Sequence, residues 1–139
     1  MRSKVNEFSN NICASSYDFI ALSETWVCHS ISYSELFPKN YLISRKDRDL
    51  NAINVSRRGG VLVALHDNYF SEQINLSFIT NALPSIDIVG IMISTCNNFN
   101  NGFCVFVLYI SPSTSFDDYE TFIHLFRNID EFNNNKVIV

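Results

Sequence analysis

The sequence predicts an α/β layered domain, and three observations point there. Short apolar runs of strand length alternate with segments of helical period. Aromatic residues are frequent, with 12 Phe and 6 Tyr, which favours a packed, sheet-containing interior. The 139 residues are 47% hydrophobic and 17% charged, so one core can form, and a disordered, charge-dominated polymer is excluded. With 4 Gly and 3 Pro, collagen-like and Pro-rich linker classes are excluded too. No internal repeat or interdomain linker is visible, so residues 1–139 read as one unit without a second domain.

Val5, Phe8 and Ile12 recur with a helical period, and Ser3 suits an N-cap. Asp18 to Leu22 is a short apolar run, read as a buried strand that ends in Ser23-Glu24-Thr25-Trp26. His29 to Asn40 is polar with scattered Tyr and Leu, which predicts a loop with one helical turn. Tyr41-Leu42-Ile43 forms a second strand. Arg45 to Arg58 lacks apolar periodicity and reads as an exposed loop. Gly59-Gly60 marks a close backbone approach before a third strand, Val61 to Leu65. Ile86 to Thr95 and Phe103 to Ile110 flank a polar, Asn-Gly-containing connection, the pattern of a β-hairpin. Ser115 is expected to cap a second helix, whose first turn carries Asp117 and Asp118. Lys136 to Val139 begins another strand.

A helix followed by a buried strand normally follows a first strand, and no room for one exists before Ser3. The last strand likewise breaks off at Val139. The expectation is therefore a piece of a larger layered domain, truncated at both ends.

Fourteen acidic residues against ten basic ones give a net charge of −4, so whole-chain electrostatics do not argue for nucleic acid. Any such binding needs a local basic patch. Cysteines stand at 13, 28, 96 and 104 without a C-x-x-C pair, and Cys28-His29 is poor spacing for two ligands of one metal. No signal peptide is present, so buried, reduced thiols in an intracellular protein are expected. The run from Ile86 to Ser94 contains Asp87 and is too short for a membrane span.

Glu24 is the sharpest chemical feature. It follows a buried strand directly, which places it at a sheet's C-terminal edge, where open α/β sheets build their sites. A carboxylate there suits Mg²⁺, a hard cation that takes oxygen ligands; a solvated strand end has the same sequence pattern. Arg45, Lys46, Arg48, Arg57 and Arg58 make up half of the basic residues, and Asp47 and Asp49 leave them a net of about three positive charges. Such a cluster suits phosphate backbones, or equally an ordinary solvated loop. Tyr109 closes a strong apolar strand, where its hydroxyl either donates to a phosphate oxygen or packs. His29, His66 and His124 are well separated, with no Ser or Cys partner in a triad-like arrangement.

The order of these features is more specific than any one of them. Arg2-Ser3-Lys4 precedes the first helix, and then come Asp18-Phe19-Ile20-Ala21-Leu22-Ser23-Glu24-Thr25-Trp26 and Tyr41-Leu42-Ile43-Ser44-Arg45-Lys46-Asp47-Arg48. Arg57-Arg58-Gly59-Gly60-Val61, Tyr109-Ile110-Ser111-Pro112 and Lys136-Val137-Ile138-Val139 complete the set. On these stretches the chain resembles the endonuclease/exonuclease/phosphatase family. The resemblance is nearest to the endonuclease domain of LINE-type, jockey-like non-LTR retrotransposons, over that domain's N-terminal part.

The resemblance implies a DNase I-like four-layer α/β sandwich, two facing sheets with outer helices, here incomplete. It implies Mg²⁺-dependent cutting of phosphodiester bonds in DNA, nuclear action, and a reverse transcriptase domain in the intact polyprotein. By position, Glu24 matches the family's metal-binding glutamate, and Tyr109 matches the tyrosine that contacts the scissile phosphate. The stretch from Arg45 to Arg58 resembles a DNA-facing surface. The family's first-strand Asn, its Gly-Asp-Phe-Asn element and its later Asp and His are not among these residues. The expectation is a family that is enzymatic and a polypeptide that is inactive alone. Two other functions fit the same residues: a different phosphodiesterase of this fold, such as a repair nuclease or phosphoinositide phosphatase, and a non-catalytic DNA-binding remnant.

Overall fold

The computed structural model describes residues 2–25, 31–47, 59–96, 99, 102–130 and 136–139. Along the chain the described elements are α1 Arg2–Ala14, β1 Phe19–Ser23, α2 Tyr33–Leu36, β2 Tyr41–Lys46, β3 Val61–His66 and β4 Phe70–Gln73. They continue with α3 Ser77–Ala82, β5 Ile86–Ser94, β6 Phe103–Ile110, α4 Phe116–Arg127 and β7 Lys136–Ile138. The strands make two sheets, ordered β1-β3-β2 and β4-β5-β6-β7. Every pairing is antiparallel except β6 with β7, which run parallel, with α4 lying between them in the chain.

The layering follows from the two faces of β3. A strand alternates its side chains, so Val61, Val63 and Leu65 point one way and Leu62 and Ala64 the other. The first set packs on Val89, Ile91 and Ile93 of β5 and Val105 of β6, which brings the two sheets face to face. The second set packs under Ile12 of α1, Leu36 of α2 and the following Phe37. On the far side of the second sheet, Ile88, Cys104 and Phe106 meet Ile79 of α3 and Phe122 and Phe126 of α4. The chain is thus an α/β sandwich of two sheets with helices on both outer faces. Because β3 and β5 are covered on both sides, each reads as an almost unbroken apolar run. Every fully buried Leu, Ile or Phe in these layers contributes roughly 2 kcal/mol.

Local sequence explains most element ends. The Ser115 hydroxyl accepts from the Asp118 amide at 3.1 Å, with Asp117 and Asp118 in the first turn of α4 and His124 and Arg127 in its last. The single turn α2 starts with a capping box, in which the Ser32 amide donates to Glu35 Oε1 at 3.1 Å. Helix α1 begins at Arg2, so Ser3 lies inside its first turn and is not the cap that its residue type suggests. Strand β2 extends to Lys46, beyond the expected Ile43, because its backbone stays paired with β3 as far as Lys46 opposite Val61. Cys104 is buried as expected, but Cys13 and Cys96 are exposed, since one lies on the outer side of α1 and the other just past the end of β5. Among the described residues no helix is long and apolar enough to cross a membrane.

Candidate functional site

Glu24 and Tyr109 lie at the same end of the sandwich. Strand β1 finishes with Ser23 opposite Val61, so Glu24 and Thr25 leave the first sheet beside Gly60, where β3 begins. In the second sheet Tyr109 stands directly across from Asp87 in the β5–β6 ladder. Asp87 shares its strand face with Val89, Ile91 and Ile93, the residues that pack on β3. Its carboxylate therefore points between the sheets, where Oδ2 accepts the Gly60 amide at 2.9 Å. The Gly60 carbonyl in turn accepts the Thr25 amide at 3.2 Å. A chain of named contacts thus leads from Tyr109 through Asp87 and Gly60 to Thr25 and Glu24.

The antiparallel sheets change the nature of this edge. The C-terminal-edge rule belongs to parallel sheets, whereas here the ends of β1 and β6 meet the beginnings of β3 and β5. Glu24 is exposed and holds a left-handed backbone, φ 53°, the one non-glycine residue to do so among the described residues. For an L-residue that conformation costs about 1–2 kcal/mol. Gly60 is also left-handed, φ 84°, and a Cβ there would stand 2.7 Å from Thr25 Oγ1. The Gly-Gly signal in the sequence therefore reports a real close approach, between the first residues of β3 and the turn that carries Glu24.

The basic cluster is divided by the structure. Arg45, expected on an exposed loop, lies in β2 with its side chain 9% exposed, and Asp47 beside it is 3% exposed. Its Nη2 pairs with Asp47 Oδ2 at 3.0 Å, its Nη1 donates to the Ile31 carbonyl at 3.1 Å, and its guanidinium lies 4.3 Å above the Tyr33 ring. The expectation of a solvated loop is thus corrected for Arg45 and Asp47, because a buried carboxylate draws the guanidinium inward. Lys46 is exposed. Arg48, Arg57 and Arg58 lie outside the described residues. A cleft of about 420 Å³ opens on the flank of the sandwich, bounded by Lys46, Gln73, Asn75, Ser77 and Thr80. Neither Glu24 nor Tyr109 lines it, so it is a neighbour of the candidate site and not the site itself.

His66 closes β3 at the end away from Gly60, and its Nε2 lies 2.9 Å from Asn40 Nδ2, while His124 is exposed on α4. These two therefore take no part in the Glu24 end. Among the described residues no three His, Cys, Asp or Glu side chains group around a possible metal position. Glu24 is the exposed carboxylate at this end that could hold an oxygen-seeking cation such as Mg²⁺, which needs only one or two protein carboxylates. Asp87 is the residue that sequence reading passed over. Its signal was present as a single acid in an apolar strand, where burial demands a partner.

Compared with known proteins, the chain matches no family model, no curated protein and no solved structure.

Proposed function

We propose that the chain is the N-terminal part of a DNase I-like domain of the endonuclease/exonuclease/phosphatase type, nearest to the nicking endonucleases of jockey-like LINE retrotransposons. Its substrate class is DNA phosphodiester and its metal Mg²⁺, with nuclear action and a reverse transcriptase domain in the same polyprotein. The observation that supports this reading is the convergence of Glu24 and Tyr109, far apart in the chain, on one end of a two-sheet sandwich. In this reading Glu24 holds the ion and Tyr109 contacts the phosphate that is cut. The ion supplies charge neutralisation at the phosphoryl oxygens when bound. Of the two basic-cluster residues described, Arg45 is tucked inward and Lys46 is exposed, so Lys46 is the one assigned to meet a backbone phosphate.

The family's remaining groups are not among these residues, and each positioned acid or base is worth about 10²–10⁴ in rate. The 139 residues alone are therefore inactive in this reading. The test is translation of the DNA on both sides of the reading frame. An apolar strand ending in Asn upstream, with Gly-Asp-Phe-Asn and then a Ser-Asp-His-like segment downstream, is the expected result. A protein carrying all of them should nick supercoiled plasmid with Mg²⁺ and lose that activity on Glu24→Gln. Flanks that encode none of these elements in any forward frame overturn the proposal.

A further inference from the structure

We infer that Asp87 is the positioning residue of this site, fixing the turn that carries Glu24 against the strand that carries Tyr109; this rests on the reading of Glu24 and Tyr109 given above. Asp87 is 2% exposed, in a strand whose other inward-facing residues are Val89, Ile91 and Ile93. A carboxylate in that layer loses its hydration and is tolerated only where hydrogen bonds replace it. Packing alone would be served as well by valine at this position. What valine lacks is an acceptor for the Gly60 amide, which is buried with its residue.

The location of this bond gives it its consequence. The cluster packed between the two sheets among the described residues is made of aliphatic and aromatic side chains, whose apolar contacts have no direction and tolerate small slides. The Asp87–Gly60 bond is directional, and it sits at the end of the sandwich that holds both candidate residues. On one side Asp87 is in register with Tyr109. On the other, Gly60 passes the constraint to the Thr25 amide and so to the left-handed turn at Glu24. Asp87 thereby sets the spacing between Glu24 and Tyr109 without itself facing a substrate.

The experiment uses the full chain, labelled for NMR, with two readouts. One is amide hydrogen exchange at Gly60 and Thr25 relative to Val63 and Val105; the other is Mn²⁺-induced line broadening at Glu24. Asp87→Ala should speed exchange at Gly60 and Thr25 on the order of tenfold beyond any change at Val63 and Val105, the factor a lost hydrogen bond brings, and should weaken the broadening. Asp87→Asn should restore both, because its amide oxygen accepts the same bond. Should Asp87→Ala not fold, Asp87→Ser, whose side chain is too short to reach Gly60, replaces it. A uniform rise in exchange across all four amides would reduce Asp87 to a general stabiliser and overturn the inference. So would failure of Asp87→Asn to rescue, which would make the charge itself the active property. Glu24→Gln separates the two claims: broadening that persists in that variant defeats the metal reading of Glu24, while the exchange data still decide the role of Asp87.

Discussion

Gly90 stands directly across the β5–β6 ladder from Phe106, and the Phe106 ring fills the space where a side chain at position 90 would lie. A Cβ there would come within 2.7 Å of ring atom Cε1. The ring cannot retreat easily, since it packs edge-on against Phe126 with centroids 5.0 Å apart. Gly90→Ala is expected to lower stability by about 1–3 kcal/mol, the range for overpacking a filled core. Urea unfolding checks this, and Phe106→Leu in the same background should recover part of the loss. A Gly90→Ala variant as stable as the parent would show that the ring is free to move.

The backbone at Glu24 inverts a familiar order. Alanine is normally more stabilising than glycine, because glycine gives up more freedom on folding. At φ 53° the L-residue is the one at a disadvantage. Glu24→Gly should therefore be more stable than Glu24→Ala by about 1 kcal/mol in denaturant melts. The ordinary order, Ala above Gly, would mean that the turn relaxes once the carboxylate is gone.

Arg45 and Lys46 are neighbours with opposite expected behaviour. Arg45→Ala removes the guanidinium that pairs with the buried Asp47 carboxylate and lies over the Tyr33 ring, and the loss should be about 3 kcal/mol, largely insensitive to salt. Lys46→Ala, on an exposed side chain, should change stability by less than about 0.5 kcal/mol. If the chain binds duplex DNA, Lys46→Ala should reduce the slope of log affinity against log salt by about one. Titration by fluorescence anisotropy at several salt concentrations reads this directly, and an unchanged slope would remove Lys46 from the DNA-facing surface.

Tyr41 gives the fold an alkaline limit. Burial raises the phenol above its ordinary 10.0, and the negative charges of Asp18 and Cys13 push the same way. The folded state therefore favours the protonated phenol more than the unfolded chain does. The contribution is complete below 10.0 and is lost as pH rises through the higher folded value. Stability should be level on the neutral side and fall above that point. Tyr41→Phe should lose about 1 kcal/mol at neutral pH, because the Tyr41 hydroxyl donates to the Tyr17 carbonyl, and should flatten the alkaline fall, so that its deficit against the parent shrinks as pH rises. An unaltered alkaline profile in that variant would assign the loss to other groups.

Much of the sandwich was legible because its central strands are buried on both faces. Val61 to Leu65 and the two arms of the hairpin leave no choice but a covered sheet, and Ser115 announces α4 three residues before Asp118, whose amide donates to it. Strand β4 was not legible, since all four of its residues are exposed and only pairing with β5 makes it a strand. Helix α3 is six residues with no side-chain cap, held by the burial of Ile79, a tertiary cause that local pattern cannot announce. Arg45 misled for a related reason. Its charge suggests solvent, and only the nearby carboxylate, carbonyl and ring show why it is tucked away. Glu24 and Tyr109 stand out in the sequence by the strand ends near which they lie, whereas the bond from Gly60 to Asp87, which joins the two sheets, shows only in three dimensions.

The division of labour between the two sheets also has a consequence in time. Strands β5 and β6 pair with each other across a short connection, from Ile93 opposite Phe103 outward to Ile86 opposite Ile110. Strand β3 must instead find β1 from far along the chain, with Phe19 opposite Leu65 and Ser23 opposite Val61. Closing the longer loop costs more chain entropy before any contact offsets it. The half that holds Tyr109 and Asp87 should accordingly be standing when the strand that ends at Glu24 arrives. In stopped-flow refolding, Val105→Ala should slow folding, whereas Leu22→Ala should act chiefly by hastening unfolding. The candidate site, on that account, is the last part of the molecule to come together and the first to open.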